Sequence, residues 1–291
     1  MFLLQRFAFD LELEGGMSGN PTLVSLVTWA VSRGFRHFRR LHVTMDGLYA
    51  QSKISQYDFV ALMPAKSSIS LHTVQAESGY PLTVSSSNFG DEVEWWSDMN
   101  WGMFTLAAYL AKEKLIGDSG VSAYLQIQCP TDSTTTVAQH CASVQRKDIY
   151  RTAVKPVLKG FPNIEAGAFD RAFLQSYCLL KTQGVPFWSQ HGTGHPFFRE
   201  CFPGTANGDV VTLLPVLDLA SHSSTPNATF GVPDDDMVQW LAGEHGVESS
   251  QLFVLQALRD IEPSELITVD KNANYGFDPD TFRAWFGFPF S

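Results

Sequence analysis

Leu213-Leu-Pro-Val-Leu-Asp-Leu-Ala-Ser-His-Ser-Ser-Thr-Pro-Asn-Ala228 opens on an apolar run, passes Asp218, and ends in a polar turn that holds Ser221, His222, Pro226 and Asn227. By residue type alone this is a buried strand followed by a Pro-Asn turn. The segments around it read the same way. Val210–Leu217, Gln251–Ala257 and Leu266–Val269 alternate and are rich in β-branched residues. Upstream, Leu41–Met45, Gly47–Ala50 and Phe59–Pro64 are short apolar runs divided by Asp46-Gly47 and other polar turns, which predicts further strands.

Helical spacing occupies the rest. Leu23, Leu26, Val27, Ala30, Val31 and Phe35 fall on one face over Leu23–Phe38, and Asn20-Pro21 supplies a cap and first turn. Met103, Phe104, Leu106, Ala107, Leu110 and Ala111 repeat the pattern over Met99–Lys114, as do Ala172, Phe173, Tyr177 and Leu180 over Phe169–Leu180. The expected architecture is therefore α+β: β-rich segments at 1–75 and 210–291 around a mostly helical insertion at 76–209. No internal repeat is present.

The chain has 291 residues, 44% of them hydrophobic and 17% charged, a composition that buries a core and excludes disorder. No window reaches the ~20 apolar residues of a membrane helix, so a soluble protein without a membrane partner is expected. The formal charge of −10 is localised, because residues 209–291 carry thirteen acidic and three basic side chains. A general nucleic-acid binder would need a basic footprint, so direct nucleic-acid binding is not expected, whereas a basic protein partner suits the C-terminal third. Cys129, Cys141, Cys178 and Cys201 form no close pair. They are read as reduced thiols of an intracellular protein, cytoplasmic or nuclear, with a mitochondrial location left open. Composition leaves the oligomeric state undefined.

Several chemistries fail on spacing. Gly192-Thr-Gly194 lacks its third glycine, and no phosphate-binding GxxxxGK[ST] loop exists. His191, His195 and Cys201 would be a soft-metal trio, but Gly192, Gly194 and Pro196 deny them the helix that aims i, i+4 ligands, so no metal is expected. Asp218, Ser221 and His222 have the residue types of a hydrolytic triad, yet crowd into five positions without a GxSxG elbow.

The 213–228 segment resembles the SET-domain signature DLxNHSxxPNA with its preceding strand. The likeness continues in order along the chain. Asp46-Gly-Leu-Tyr-Ala50 with Ile54 and Leu62-Met-Pro64 is similar to the family's opening GxGLxA turn, and Trp101–Lys114 to a helix of its insertion. Leu255–Thr268 resembles its pGeE turn and strand, and Trp285-Phe-Gly-Phe288 its terminal aromatic motif. The long insertion points to the Rubisco-methyltransferase-like branch, which also contains the actin-histidine methyltransferase.

What the resemblance implies is a SET-domain β fold with a pseudoknot, binding S-adenosylmethionine on one face and admitting a substrate side chain from the other. Carried over by position, Thr44, Asp46, Gly47, Leu48 and Ala50 line the cofactor's methionine moiety, Ser221 and His222 stand where the family has Asn-His, and Lys181 stands where it has an arginine for the cofactor carboxylate. Phe286 and Phe288 wall the substrate channel. The family's tyrosine directly after Leu266–Val269 is replaced by Asp270 and Lys271, so Tyr275, followed by Gly276, is the catalytic candidate. Met45 replaces the first glycine of the opening turn, and Glu262-Pro-Ser-Glu265 replaces pGeE. The implied activity is S-adenosylmethionine-dependent methylation of a lysine, or alternatively a histidine, in a protein substrate that is lysine-rich. The competing reading is a catalytically inactive SET-like interaction module.

Overall fold

A computed structural model describes residues 20–37, 41–70, 73–74, 97–117, 120–128, 163–187, 210–233, 236–239, 241, 252–273, 276 and 278–280. The first helix, α1 (Pro21–Ser32), begins as its sequence predicts: the Asn20 side chain accepts hydrogen bonds from the amides of Thr22 at 2.9 Å and Leu23 at 3.4 Å, with Pro21 in the first turn. It ends earlier than the apolar spacing predicts. Gly34 takes φ +95°, its amide donates to the Val31 carbonyl and that of Phe35 to the Ala30 carbonyl, so the last turn closes in a Schellman motif. Phe35 is buried beyond the helix, and Arg36–His37 start strand β1.

Strands β2 (Leu41–Thr44) and β3 (Gly47–Ala50) form a hairpin on the Met45-Asp46 turn, and β4 (Phe59–Pro64) follows. Then come helices α2 (Ser97–Ile116), α3 (Gly120–Gln128) and α4 (Ala166–Gln183), of which α2 packs chiefly on α4 while α3 leans on α1. Glu165 caps α4, its carboxylate accepting from the amides of Gly167 and Ala168. Ala172, Phe173, Tyr177 and Leu180 of α4 are buried, as their spacing predicts. Cys178, expected as a reduced thiol, is disulfide-bonded. Pairing depends on which sulfurs meet in space, and sequence spacing does not report that.

Strands β5 (Val185–Phe187) and β6 (Val210–Thr212) pair with each other. The expected strand Val210–Leu217 stops short. After Leu213, which exchanges amide–carbonyl bonds with Ile69, the chain turns at Pro215-Val216, and Leu217–Leu219 form a 3-10 helix. Val216 holds φ +79°, costly for a β-branched residue and of the kind found beside functional sites. An apolar run this short reads alike as strand or buried turn, and here the backbone at Val216 decides.

The remaining strands are β7 (Ser221–His222), β8 (Ala228–Gly231), β9 (Leu252–Ala257) and β10 (Thr268–Val269). The largest sheet runs β1-β4-β9-β8-β10-β7. Its first three contacts are antiparallel, whereas β10 lies parallel to both β8 and β7. Since only residues 223–227 connect β7 to β8, the strand between them passes under that link. Chains rarely thread in this way, and the crossing is the knot-like feature of the fold.

Asn227 ties the crossing. Its side-chain amide donates to the Leu266 carbonyl at 2.8 Å and to Glu265 Oε1 at 3.1 Å, and its carbonyl accepts from the Thr268 amide at 2.8 Å. Glu265 also accepts from Arg259 Nη2 at 2.6 Å and from the Glu262 amide. These donors, Arg259 foremost, hold the Glu265 carboxyl down at about 2. A carboxylate depressed on folding stabilises the native state above its ordinary value near 4.5, and that contribution disappears as pH falls through about 2. Unfolding midpoints measured from pH 5 downward are therefore expected to drop across this window, and Glu265→Gln to flatten the drop. Because Glu265 is partly exposed, the effect is modest.

Candidate active site

The β2–β3 hairpin docks on the strand that threads the crossing. The Ala50 amide donates to the Glu265 carbonyl at 2.9 Å and the Ile267 amide to the Leu48 carbonyl at 2.8 Å, so the Asp46-Gly47 turn sits beside β7. Gly47 has φ +148°. A Cβ there would lie 3.0 Å from Leu266 Cδ1, 3.5 Å from the Leu219 carbonyl and 3.7 Å from Ser221 Oγ. The backbone approach requires glycine.

Between this turn and the 3-10 segment lies a pocket of about 200 Å³. The hairpin contributes Met45, Asp46 and Gly47, and the signature segment contributes Asp218, Leu219, Ala220 and Ser221. Gln128 closes it from the end of α3, Gln183 from the end of α4, and Lys271 from just past β10. The lining is polar, with two carboxylates, two amides, a hydroxyl and an ammonium.

Asp218 is the electrostatic centre. It is 2% exposed, Tyr124 of α3 donates its hydroxyl to Oδ2, and Oδ1 is buried without a partner among the described residues. Gln128 Nε2 is likewise buried without an acceptor. A donor and an acceptor left unsatisfied in one pocket are costly unless a ligand meets them. Burial pushes the Asp218 carboxyl up, against the Tyr124 hydrogen bond and the Lys271 charge that pull it down. Lys271 is only partly buried by surface area, yet the protein packed around its ammonium pushes that group's pKa down, opposed by Asp218. Its amine donates to Gln183 Oε1.

The other residues named from the sequence fall into three groups. Asp46, Gly47 and Ser221 face the pocket. Thr44, Leu48 and Ala50 frame it: Thr44 Oγ1 bonds the Gly47 carbonyl and the Asp46 amide, each at 3.1 Å, while Leu48 and Ala50 are buried and bound to the 264–267 segment. Lys181 is buried in the last turn of α4, where desolvation lowers its pKa to about 8, and Gln183, two residues on, is the α4 side chain in the pocket lining. His222 Nδ1 accepts from the Lys271 amide at 3.2 Å and lies 3.8 Å from Asp270 Oδ1. Burial lowers its pKa, which keeps the ring neutral and able to accept that bond. Tyr275, Phe286 and Phe288 lie outside the described residues.

The hydrolytic grouping is not assembled. Among the described residues no hydrogen bond joins Ser221, His222 and Asp218, and the last is committed to Tyr124. Gln128 and Gln183 carried no sequence signal, since each reaches the pocket by helix packing. Asp218 did carry one, as the aspartate of the 213–228 signature.

No protein-family model matches the chain, and no curated protein matches it in sequence. Solved structures do match in three dimensions. The SET domain of LSMT bound to lysine and AdoHcy aligns with a TM-score of 0.58 at 15% identity, over 94% of this chain and 58% of that one. Rubisco LSMT bound to sinefungin and monomethyllysine aligns at 0.55 and 16%, over 93% and 56%. Rubisco LSMT bound to AdoMet aligns at 0.53 and 15%, over 93% and 57%. The chain thus spans less than three fifths of each of these proteins. Among the described residues no helix is long and apolar enough to cross a membrane. With β10 threaded between β7 and β8, the glycine turn set against Ser221, and these alignments across nearly the whole chain, the fold is that of the SET domain.

Proposed function

We propose that this chain is an S-adenosylmethionine-dependent protein methyltransferase whose substrate is a lysine side chain. The observation that carries the reading is the pocket at the Gly47–Ser221 junction of a SET fold, with the buried Asp218 Oδ1 and Gln128 Nε2 inside it lacking partners among the described residues. An amino-acid moiety bearing both an ammonium and a carboxylate meets such a lining, because Asp46 and Asp218 accept hydrogen bonds while the Gln128 amide donates them. Gly47 lets the backbone come close, and Ser221 offers one hydroxyl.

When bound, S-adenosylmethionine supplies a methyl group already activated on a sulfonium. The protein's part is then orientation, worth up to ~7–11 kcal/mol when reacting groups are pre-aligned. Asp218, its carboxyl raised by burial, can take and hold a proton at Oδ1. The thirteen acidic side chains of residues 209–291 favour encounter with a lysine-rich protein.

Calorimetric titration with S-adenosylmethionine and S-adenosylhomocysteine tests this reading. Micromolar binding is expected, tightened about 2- to 12-fold by Ser221→Asn, since one additional hydrogen bond contributes ~0.5–1.5 kcal/mol. No heat at millimolar ligand in either form would rule out the enzyme. That result favours the second reading, an inactive SET-like interaction module, which has its own support in the Lys271 ammonium and the Met45 side chain at the pocket.

A further inference from the structure

We propose that the chain methylates itself on Lys271, whose amine in the Gly47–Ser221 pocket is the first acceptor for a methyl group from a sulfonium donor bound there. The inference rests on the methyl-transfer reading above and names a substrate for that same site.

Among the described residues Lys271 is the one lysine in the pocket lining, and it is fixed at both ends. Its backbone amide donates to His222 Nδ1 at 3.2 Å, and the next amide, of Asn272, donates to Asp270 Oδ1 at 2.8 Å, which prevents the segment from sliding. Its amine is held by Gln183 Oε1 at the end of α4. An amine tethered in this way needs no encounter step, and its effective concentration exceeds that of any lysine arriving from solution.

The chemistry around it suits an acceptor. Among the described residues the charged or titratable groups around Lys271 are Asp218 from the 3-10 segment, Asp46 of the hairpin turn in the same lining, and His222 from β7, which itself lies 3.8 Å from Asp270 Oδ1. Desolvation shifts the ammonium toward the neutral, nucleophilic amine, and His222 is kept uncharged by its own burial. Asp218 Oδ1, without a partner among the described residues, can accept the proton that the ammonium gives up. In the transfer the Nζ lone pair forms the new N–C bond while the methyl C–S bond breaks. Its electron pair stays on sulfur, leaving a neutral thioether. The ammonium proton leaves through Asp218 to solvent, so charge and atoms balance. The product keeps its charge and gains one CH2.

The full-length chain is incubated with S-adenosylmethionine, followed by intact mass and by peptide mapping, with S-adenosylhomocysteine titrated calorimetrically into the same preparation. Expected is a CH2 increment on the peptide that carries Lys271, approaching one event per chain, at a rate independent of protein concentration and absent from Lys271→Arg. If S-adenosylhomocysteine binds while that peptide stays unmodified, if the increment maps to another lysine, or if the rate scales with protein concentration, self-methylation in the pocket is overturned while the cofactor site stands. If Lys271→Met abolishes S-adenosylhomocysteine binding and the wild-type chain gains no increment, Lys271 is a cation for the ligand carboxylate and the proposal falls. If S-adenosylhomocysteine does not bind, the methyl-transfer reading fails and this proposal falls with it. The wild-type peptide map decides even where a variant does not fold.

Discussion

Asn227→Ala is expected to lower the unfolding free energy by about 3–5 kcal/mol, a loss as large as that of truncating a buried core side chain. Asn227 is 1% exposed, and its amide satisfies the Leu266 carbonyl and the Thr268 amide, both on the strand that threads between β7 and β8. Removing it leaves both of these backbone groups unsatisfied, at ~1–3 kcal/mol each, and takes a donor from Glu265. Asn227→Asp separates hydrogen bonding from packing. It keeps the acceptor toward the Thr268 amide but sets an oxygen against the Leu266 carbonyl and the Glu265 carboxylate. At neutral pH the substitution should be at least as damaging as alanine, and it should recover as acid protonates the new carboxylate into a donor. Denaturant titrations at pH 7 and pH 4 read both effects. A loss under about 1 kcal/mol for alanine would mean that the crossing is held elsewhere.

Gly47→Ala should cost about 1–3 kcal/mol of stability and raise the Kd for S-adenosylhomocysteine at least tenfold, or about 1.4 kcal/mol. Two causes act together. At φ +148° an L side chain is strained wherever there is room for it, and here the added Cβ meets Leu266 Cδ1 at 3.0 Å. Leu266 can yield by a few tenths of an ångström, but the turn then shifts against Leu219 and Ser221, both in the pocket lining. Met45→Ala in the same turn is the control. Met45 is 41% exposed, so its truncation should leave the melting temperature unchanged. Equal effects on stability from the two substitutions would show that the glycine conformation is not what shapes the turn.

Both substitutions fall in segments that were legible from residue types: the Asp46-Gly47 turn between two short runs, and the Pro-Asn turn ending 213–228. Other features were equally local. Asn20-Pro21 announced the start of α1, because a cap acts on amides two and three residues away. The burial of Ala172, Phe173, Tyr177 and Leu180 followed from helical spacing. Where a decision lay just outside the local pattern, the reading slipped. The apolar stripe ran on to Phe35, which packs in the core from beyond the helix because Gly34 turns the chain back. The run from Val210 looked like one strand until Val216 took a positive φ and turned 217–219 into a 3-10 helix.

The composition of the pocket belongs to a different level. Lys181 stood in the expected place for a cofactor contact, yet Gln183 is the α4 side chain in the lining, since the orientation of a helix end is set by what the helix packs on. Gln128 reaches the pocket because α3 lies where Tyr124 can bond Asp218. Lys271 reaches it because β10 is threaded between two strands that are neighbours in sequence. What the amino-acid sequence by itself determined were the turns, the caps, the apolar faces and the ordered motifs that mark a SET domain, all of them interactions closed within a few residues. Which side chains converge on one cavity, how a buried carboxylate and an ammonium perturb each other, and that Cys178 is bridged were decided only by tertiary packing, which brings together residues that no local pattern relates.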